Sequence, residues 1–163
     1  MKKILAFILF VLINNYALAA GGDSGGSSNE TVVSEYDSAV KLIKRAGKLE
    51  KKEKIKKAKK LYTSAFKKLK IAHRNDKDNP DILNYMGYAS RKIGNFTEAE
   101  NYYLQGLSLD PKHNGINEYL GELYVQTDRI EKANERLAIL KNCNCEEYKE
   151  LELIIKTRGS KVY

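Results

Sequence analysis

The 163-residue sequence contains no tryptophan, two prolines, two cysteines and two histidines. These scarcities narrow the chemistry. His73 and His113 lie 40 residues apart, with no serine or cysteine nucleophile pattern beside either. There is no glycine-rich phosphate loop, no metal-binding helix motif and no paired-carboxylate arrangement. Catalysis is therefore not expected, and no catalytic residue is assigned. A zinc site normally takes four ligands, and Cys143 and Cys145 have no His or Cys near them to complete a set. Neither a metal nor a cofactor is expected.

The two cysteines are separated by one residue, and an oxidising compartment would favour their pairing. Such a bridge would fix the turn ahead of the last helix. The other reading, a redox-active pair, lacks a thioredoxin-like strand–helix–strand pattern around it.

Long hydrophobic runs are also missing, with one exception. Ile4–Ile13 is apolar throughout, follows Lys2 and Lys3, and is succeeded by Asn14-Asn15 and the small-residue sequence Ala17-Leu18-Ala19. Ten apolar residues are too few to cross roughly 30 Å of hydrocarbon. The pattern predicts a secretory signal over residues 1–19, cleaved after Ala19. The mature chain is then expected across the inner membrane, in a bacterial periplasm. Residues 20–34, AGGDSGGSSNETVVS, carry no large apolar group before Val32, so a flexible tail is expected there.

The formal net charge of +8 is unevenly spread. Residues 39–74 hold fifteen Lys/Arg against Glu50 and Glu53, whereas residues 20–38 and 75–163 are both net acidic. Lys51, Lys52, Lys56, Lys59, Lys60 and Lys67 are the candidates for contact with an anionic surface such as a membrane, glycan or polyanion. A solubilising helix face explains the same residues. Lysine dominates and no arginine-rich, aromatic-interleaved motif occurs, so nucleic acid is not an expected partner.

What is present is a recurrence. Residues 84–111 and 118–140 align at a spacing of 34, matching Gly87 with Gly121, Phe96 with Ile130, Ala99 with Ala133 and Tyr103 with Leu137. Apolar residues fall at helical spacing on both sides of Gly94-Asn95, which predicts a helical hairpin. Thr97 and Glu100 read as a capping box for its second helix, and Asp110-Pro111 ends it. The later copy places Leu120, Leu123 and Tyr124 in one helix and Ile130, Ala133, Leu137 and Leu140 in another, opened by Asp128. A degenerate first copy uses Leu42, Ala46 and Leu49, then Ile55, Ala58, Tyr62 and Ala65. Ala58 to Ala99 is 41 residues rather than 34, an excess of two helical turns that keeps the apolar face in phase. Residues 146–156 form one more amphipathic helix, suited to covering the last exposed face.

This period, with its small residues and aromatics, resembles the tetratricopeptide repeat (TPR), a helix–turn–helix unit. The resemblance implies an all-α chain: a short right-handed α-solenoid of about three TPR-like hairpins, over 39–79, 80–113 and 114–141. A C-terminal capping helix at 146–156 completes a domain spanning 35–157, and residues 158–163 are expected to fray. TPR arrays bind protein partners in a concave groove built from the first helices. Carried over by position, the groove residues are Asn84, Tyr88, Arg91, Lys92, Glu118, Glu122 and Gln126, with Ile43 and Gly47 in the first unit. The clamp by which cochaperone TPRs hold a terminal carboxylate is not matched at Ile43 and Gly47. The expected function is a non-catalytic interaction scaffold for a peptide segment or helix of a protein partner.

Overall fold

The computed structural model describes residues 25–159; the expected signal, residues 20–24 and residues 160–163 lie outside them. Seven helices follow one another without a strand among the described residues: α1 (Gly25–Glu50), α2 (Ile55–Asn75), α3 (Pro80–Ile93), α4 (Phe96–Leu109), α5 (Asn114–Gln126), α6 (Ile130–Leu140) and α7 (Glu146–Lys156). α1 packs on α2, α3 on α4 and α5 on α6; α2–α3 and α4–α5 contacts join the hairpins, and α7 lies against α5 and α6. None of the described helices is long and apolar enough to cross a membrane.

Local chemistry accounts for the helix boundaries. Asn79 accepts hydrogen bonds from the backbone N–H groups of Asp81 and Ile82 at 3.0 and 3.2 Å, and Pro80 occupies the first position of α3. That satisfies two of the donors a helix start leaves unpaired. Gly94 ends α3 at φ 100°, a left-handed conformation open to glycine. The expected capping box at Thr97 does not form. α4 starts two residues earlier than a Thr97 cap would set it, with Asn95 at the cap, and Glu100 instead receives two hydrogen bonds from Arg129 Nη1. Asp128 does not open α6 either: it turns the chain at φ 56°, and Arg129 holds the cap position. His113 caps the start of α5, its Nδ1 accepting from Ile116 N–H.

The helical periodicity produces two adjoining cores. In α2, Ala58, Tyr62, Ala65, Leu69 and Ala72 are all fully buried, one stripe at three- and four-residue spacing. They join Ala39, Ile43, Ala46, Ile82, Met86 and Ala89 in the first core. The second is built from Ala99, Tyr103, Ile116, Leu120, Leu123, Ala133 and Ile154. α2 has 21 residues and α4 has 14, so the seven extra residues of the first unit extend α2.

Two positions decide how closely helices approach. A Cβ at Gly87 would stand 2.5 Å from the Tyr103 ring, so the glycine is what seats that ring between α3 and α4. A Cβ at Gly121 would meet Leu151 at 2.5 Å. Gly121 therefore admits α7, not its hairpin partner α6. Leu137 is correspondingly half-buried where its counterpart Tyr103 is fully buried.

The helix at the N-terminal end departs from expectation. α1 runs back to Gly25, so residues 25–34 are helical rather than a loose tail. Val32 is buried in the first core, and the Tyr36 ring meets Tyr85 edge-on at 5.7 Å. Those contacts supply the apolar burial that the Gly/Ser-rich composition hid.

Candidate partner-binding groove

α1, α3, α5 and α7 share one concave face, and a pocket of about 200 Å³ lies on it. Its lining comprises Gly47 and Glu50 from the end of α1 with Lys51 just after it, Tyr88, Arg91 and Lys92 from α3, Glu118, Tyr119 and Glu122 from α5, and Glu150 from α7. Tyrosines form its wall. Tyr88 meets Tyr119 at 4.8 Å between centroids, and behind them Tyr62, buried on α2, meets Tyr88 at 5.9 Å. Burial pushes all three phenols well above their ordinary range, so they stay protonated donors at neutral pH.

Two cations are already engaged by the groove itself. Arg91 Nη2 lies 2.5 Å from Glu122 Oε2, and Nη1 donates to Gln126 Oε1 at 3.2 Å. Its guanidinium stands over the rings of Tyr88 and Tyr119, at 5.5 and 5.8 Å. Burial alone would lower the Arg91 pKa, but the Glu122 carboxylate outweighs it and keeps the guanidinium charged. Lys92 Nζ pairs with Glu50 Oε2 at 2.7 Å and lies 5.8 Å from both Tyr62 and Tyr88. Tyr62 donates its hydroxyl to the same Glu50 oxygen at 2.9 Å.

Glu118 is different. It is 3% exposed, and its pKa is pushed up to about 10, first by burial, then by a hydrogen bond with Glu150 and by the charges of Glu122, Glu150 and Glu147. At neutral pH it holds its proton. The groove end where α7 covers α5 thus gathers the carboxyl groups of Glu118, Glu122 and Glu150.

The residues expected in the groove fall into distinct places. Tyr88, Arg91, Lys92, Glu118 and Glu122 come together at the pocket, but Arg91, Glu118 and Glu122 are buried in its floor rather than projecting for free contact. Gln126 is exposed and holds Arg91 from outside the pocket. Asn84 is buried beside Gly115, away from the pocket, and Ile43 is part of the first core. The sequence reading missed Glu50, Tyr119 and Glu150. Tyr119 stands 34 residues after Tyr85, which packs against the first core instead of lining the pocket, so the repeat register did not announce it. Glu150 had no signal either, because α7 lies outside the repeat register.

Lys51, Lys52, Lys56, Lys59, Lys60 and Lys67 are all exposed, and none forms an ion pair among the described residues. Cys143 and Cys145 are bonded to each other across a Cα–Cα distance of 5.2 Å, with Asn144 at φ 49° between them. The bridge closes the turn immediately before α7, where Cys145 holds the cap position.

Residues 80–113, which form α3 and α4, match the family model of the tetratricopeptide repeat. The second TPR domain of the human RPAP3 protein, solved with the HSP70 peptide SGPTIEEVD, is 19% identical to this chain. That likeness covers 79% of this chain and 98% of the other, with a TM-score of 0.51. The fold is that of a TPR solenoid. The Arabidopsis OM64 TPR domain is 15% identical, covering 76% of this chain and 98% of its own, with a TM-score of 0.48. No curated protein matches the chain. Within the TPR frame, α1, α3 and α5 are the first helices of three units, and α7 occupies the place a fourth first helix would take.

Proposed function

We propose that this chain is a non-catalytic scaffold that binds a segment of a protein partner in the concave face of its TPR solenoid. The observation that carries this reading is the pocket itself. It draws on four helices, and Tyr88 and Tyr119 wall it, the kind of side chain that dominates protein contacts. Three units and a cap give a short groove, suited to an extended segment or a single helix. The RPAP3 domain, of the same fold, was solved with a peptide; the mode of binding is what transfers, since the terminal-carboxylate clamp is unmatched at Ile43 and Gly47. With residues 1–19 read as a secretory signal, the partner belongs to the bacterial envelope.

Alanine at both Tyr88 and Tyr119 tests the reading. Crosslinked capture from envelope extract should lose its partner with these changes and keep it with alanine at Leu104, which is exposed on α4. Retention of every partner by the tyrosine variant would remove the proposal.

The exposed lysines favour a second contact. Ile55, 48% exposed at the tip of the first hairpin, stands among Lys54, Lys56 and Lys57. An anionic membrane surface would accept this combination, and the attachment would weaken steeply with salt because surface charges are screened over ~10 Å at about 0.1 M. Sedimentation with phosphatidylglycerol vesicles should show salt-sensitive binding, absent with phosphatidylcholine. Binding that ignored salt or lipid charge would dismiss it.

A further inference from the structure

α7 is tethered differently from α3 and α5, the first helices before it. α3 starts on an Asn79 side-chain cap and α5 on a His113 cap. α7 starts at Cys145, which makes no side-chain capping bond and whose sulfur is joined to Cys143 instead. The bridge thus sets the entry into α7, with Asn144 between its ends at φ 49°. Packing does not duplicate that hold. A cleft of about 250 Å³, lined by Asn134, Leu137, Ala138, Lys141 and Tyr148, opens between α6 and α7 at this end. The pairs Lys149–Glu146, Lys156–Glu152 and Tyr148–Glu152 run within α7 and tie it to no other element. Its docking rests on Leu151 and Ile154, the buried residues of the helix. Both cysteines are partly exposed, so a reductant in solvent reaches the bridge. A ring closed across one intervening residue constrains the unfolded chain little, so the effect of opening it stays local.

We propose that the Cys143–Cys145 bridge is a redox latch: a dithiol reductant opens it, α7 detaches from α5, and the three hairpins stay folded. The pocket then loses Glu150, its wall from α7, and a partner segment binds more weakly. That consequence rests on the groove reading given above; the release of α7 does not. In the exchange, a donor thiolate attacks one sulfur and forms a mixed disulfide, while the other cysteine departs as a thiolate and takes up a proton. The donor's second thiolate then displaces the first cysteine, which is protonated in turn. Two electrons and two protons have passed to the pair, and the donor leaves as a disulfide.

Hydrogen exchange read by mass spectrometry on the full chain, with and without dithiothreitol, tests the latch. Reduction should speed exchange in α7 by about tenfold or more and leave α2 and α3 unchanged. The double variant Cys143→Ser/Cys145→Ser, checked by circular dichroism to keep its helices, should exchange like the reduced protein and ignore the reductant. Unchanged exchange in α7 on reduction overturns the latch, and so does protection lost throughout the chain. An array of random dodecapeptides tests the consequence for the groove. Peptides held through Tyr88 and Tyr119 should bind several-fold more weakly to the reduced protein. Binding that needs both tyrosines but is equal in the two redox states overturns control of the groove by the latch. Binding indifferent to both tyrosines overturns the groove reading and that control with it, while the release of α7 stands or falls on the exchange result.

Discussion

At the scale of single residues, Glu118 is the position where burial works against charge. Its pKa in the folded chain, about 10, lies far above the ordinary 4.5. Between those values the native state holds a proton that the unfolded chain has released, so native stability falls as pH rises through that window. Glutamine keeps the shape and removes the titration. Glu118→Gln is therefore expected to be more stable than wild type at pH 8, by about 2 kcal/mol, and to flatten the decline in stability from about pH 5 upward. Urea unfolding across that range measures it; parallel pH profiles for the two proteins would contradict the account. Sequence reasoning placed Glu118 in the groove but treated it as a projecting contact, because charged residues are rarely buried. Its burial depends on α7 lying over α5, a tertiary fact that no local pattern carries. Arg91 and Glu122 were misjudged in the same way, since each supplies the other's partner across two helices.

At the scale of elements, α7 behaves as an unpaired first helix that closes the array. Leu151 fills the space that Gly121 leaves open, and Gly121 has no room for a larger residue. Leu151→Ala should cost about 3 kcal/mol by leaving a cavity at that contact, whereas Leu153→Ala, at an exposed site, should stay within about 0.5 kcal/mol. Chemical denaturation compares the two, and equal effects would show that α7 does not cap the core. The hairpins themselves were legible because helix periodicity is local: Ala58, Tyr62, Ala65 and Leu69 in α2 announce their stripe by spacing alone. The same spacing located the seven extra residues. The beginning of α1 was hidden for the opposite reason, as its anchors are sparse. Val32 and Tyr36 hold a stretch whose neighbours are glycine and serine, and only their contacts with the first core show that it is helical. Thr97 and Asp128 illustrate a finer limit, since Asn95 and Arg129 take the cap positions those residues were expected to hold or set.

At the scale of the whole molecule, charge and shape are segregated. The first hairpin carries the unpaired lysines on its outer surface, and the carboxyl cluster sits where the last unit meets its cap. Between them, Tyr88 and Tyr119 line the concave face, backed by the buried Tyr62 of α2 and braced by the Lys92–Glu50 and Arg91–Glu122 pairs. A groove so internally braced is preformed, and a partner segment can dock without first ordering it. The repeat spacing was enough to anticipate a concave scaffold and most of the central side chains. It was not enough to show that the groove continues onto α7, because the cap stands outside the 34-residue register.

The central claim, that a partner segment lies in this concave face, is tested most directly by site-specific photocrosslinking. A photoreactive phenylalanine at Tyr119 lines the pocket, and the same group at Leu104 is exposed on α4 outside it. The account predicts a discrete adduct from the Tyr119 position and none from Leu104. Adducts from Leu104 alone would place the partner on the other side of the solenoid and contradict it.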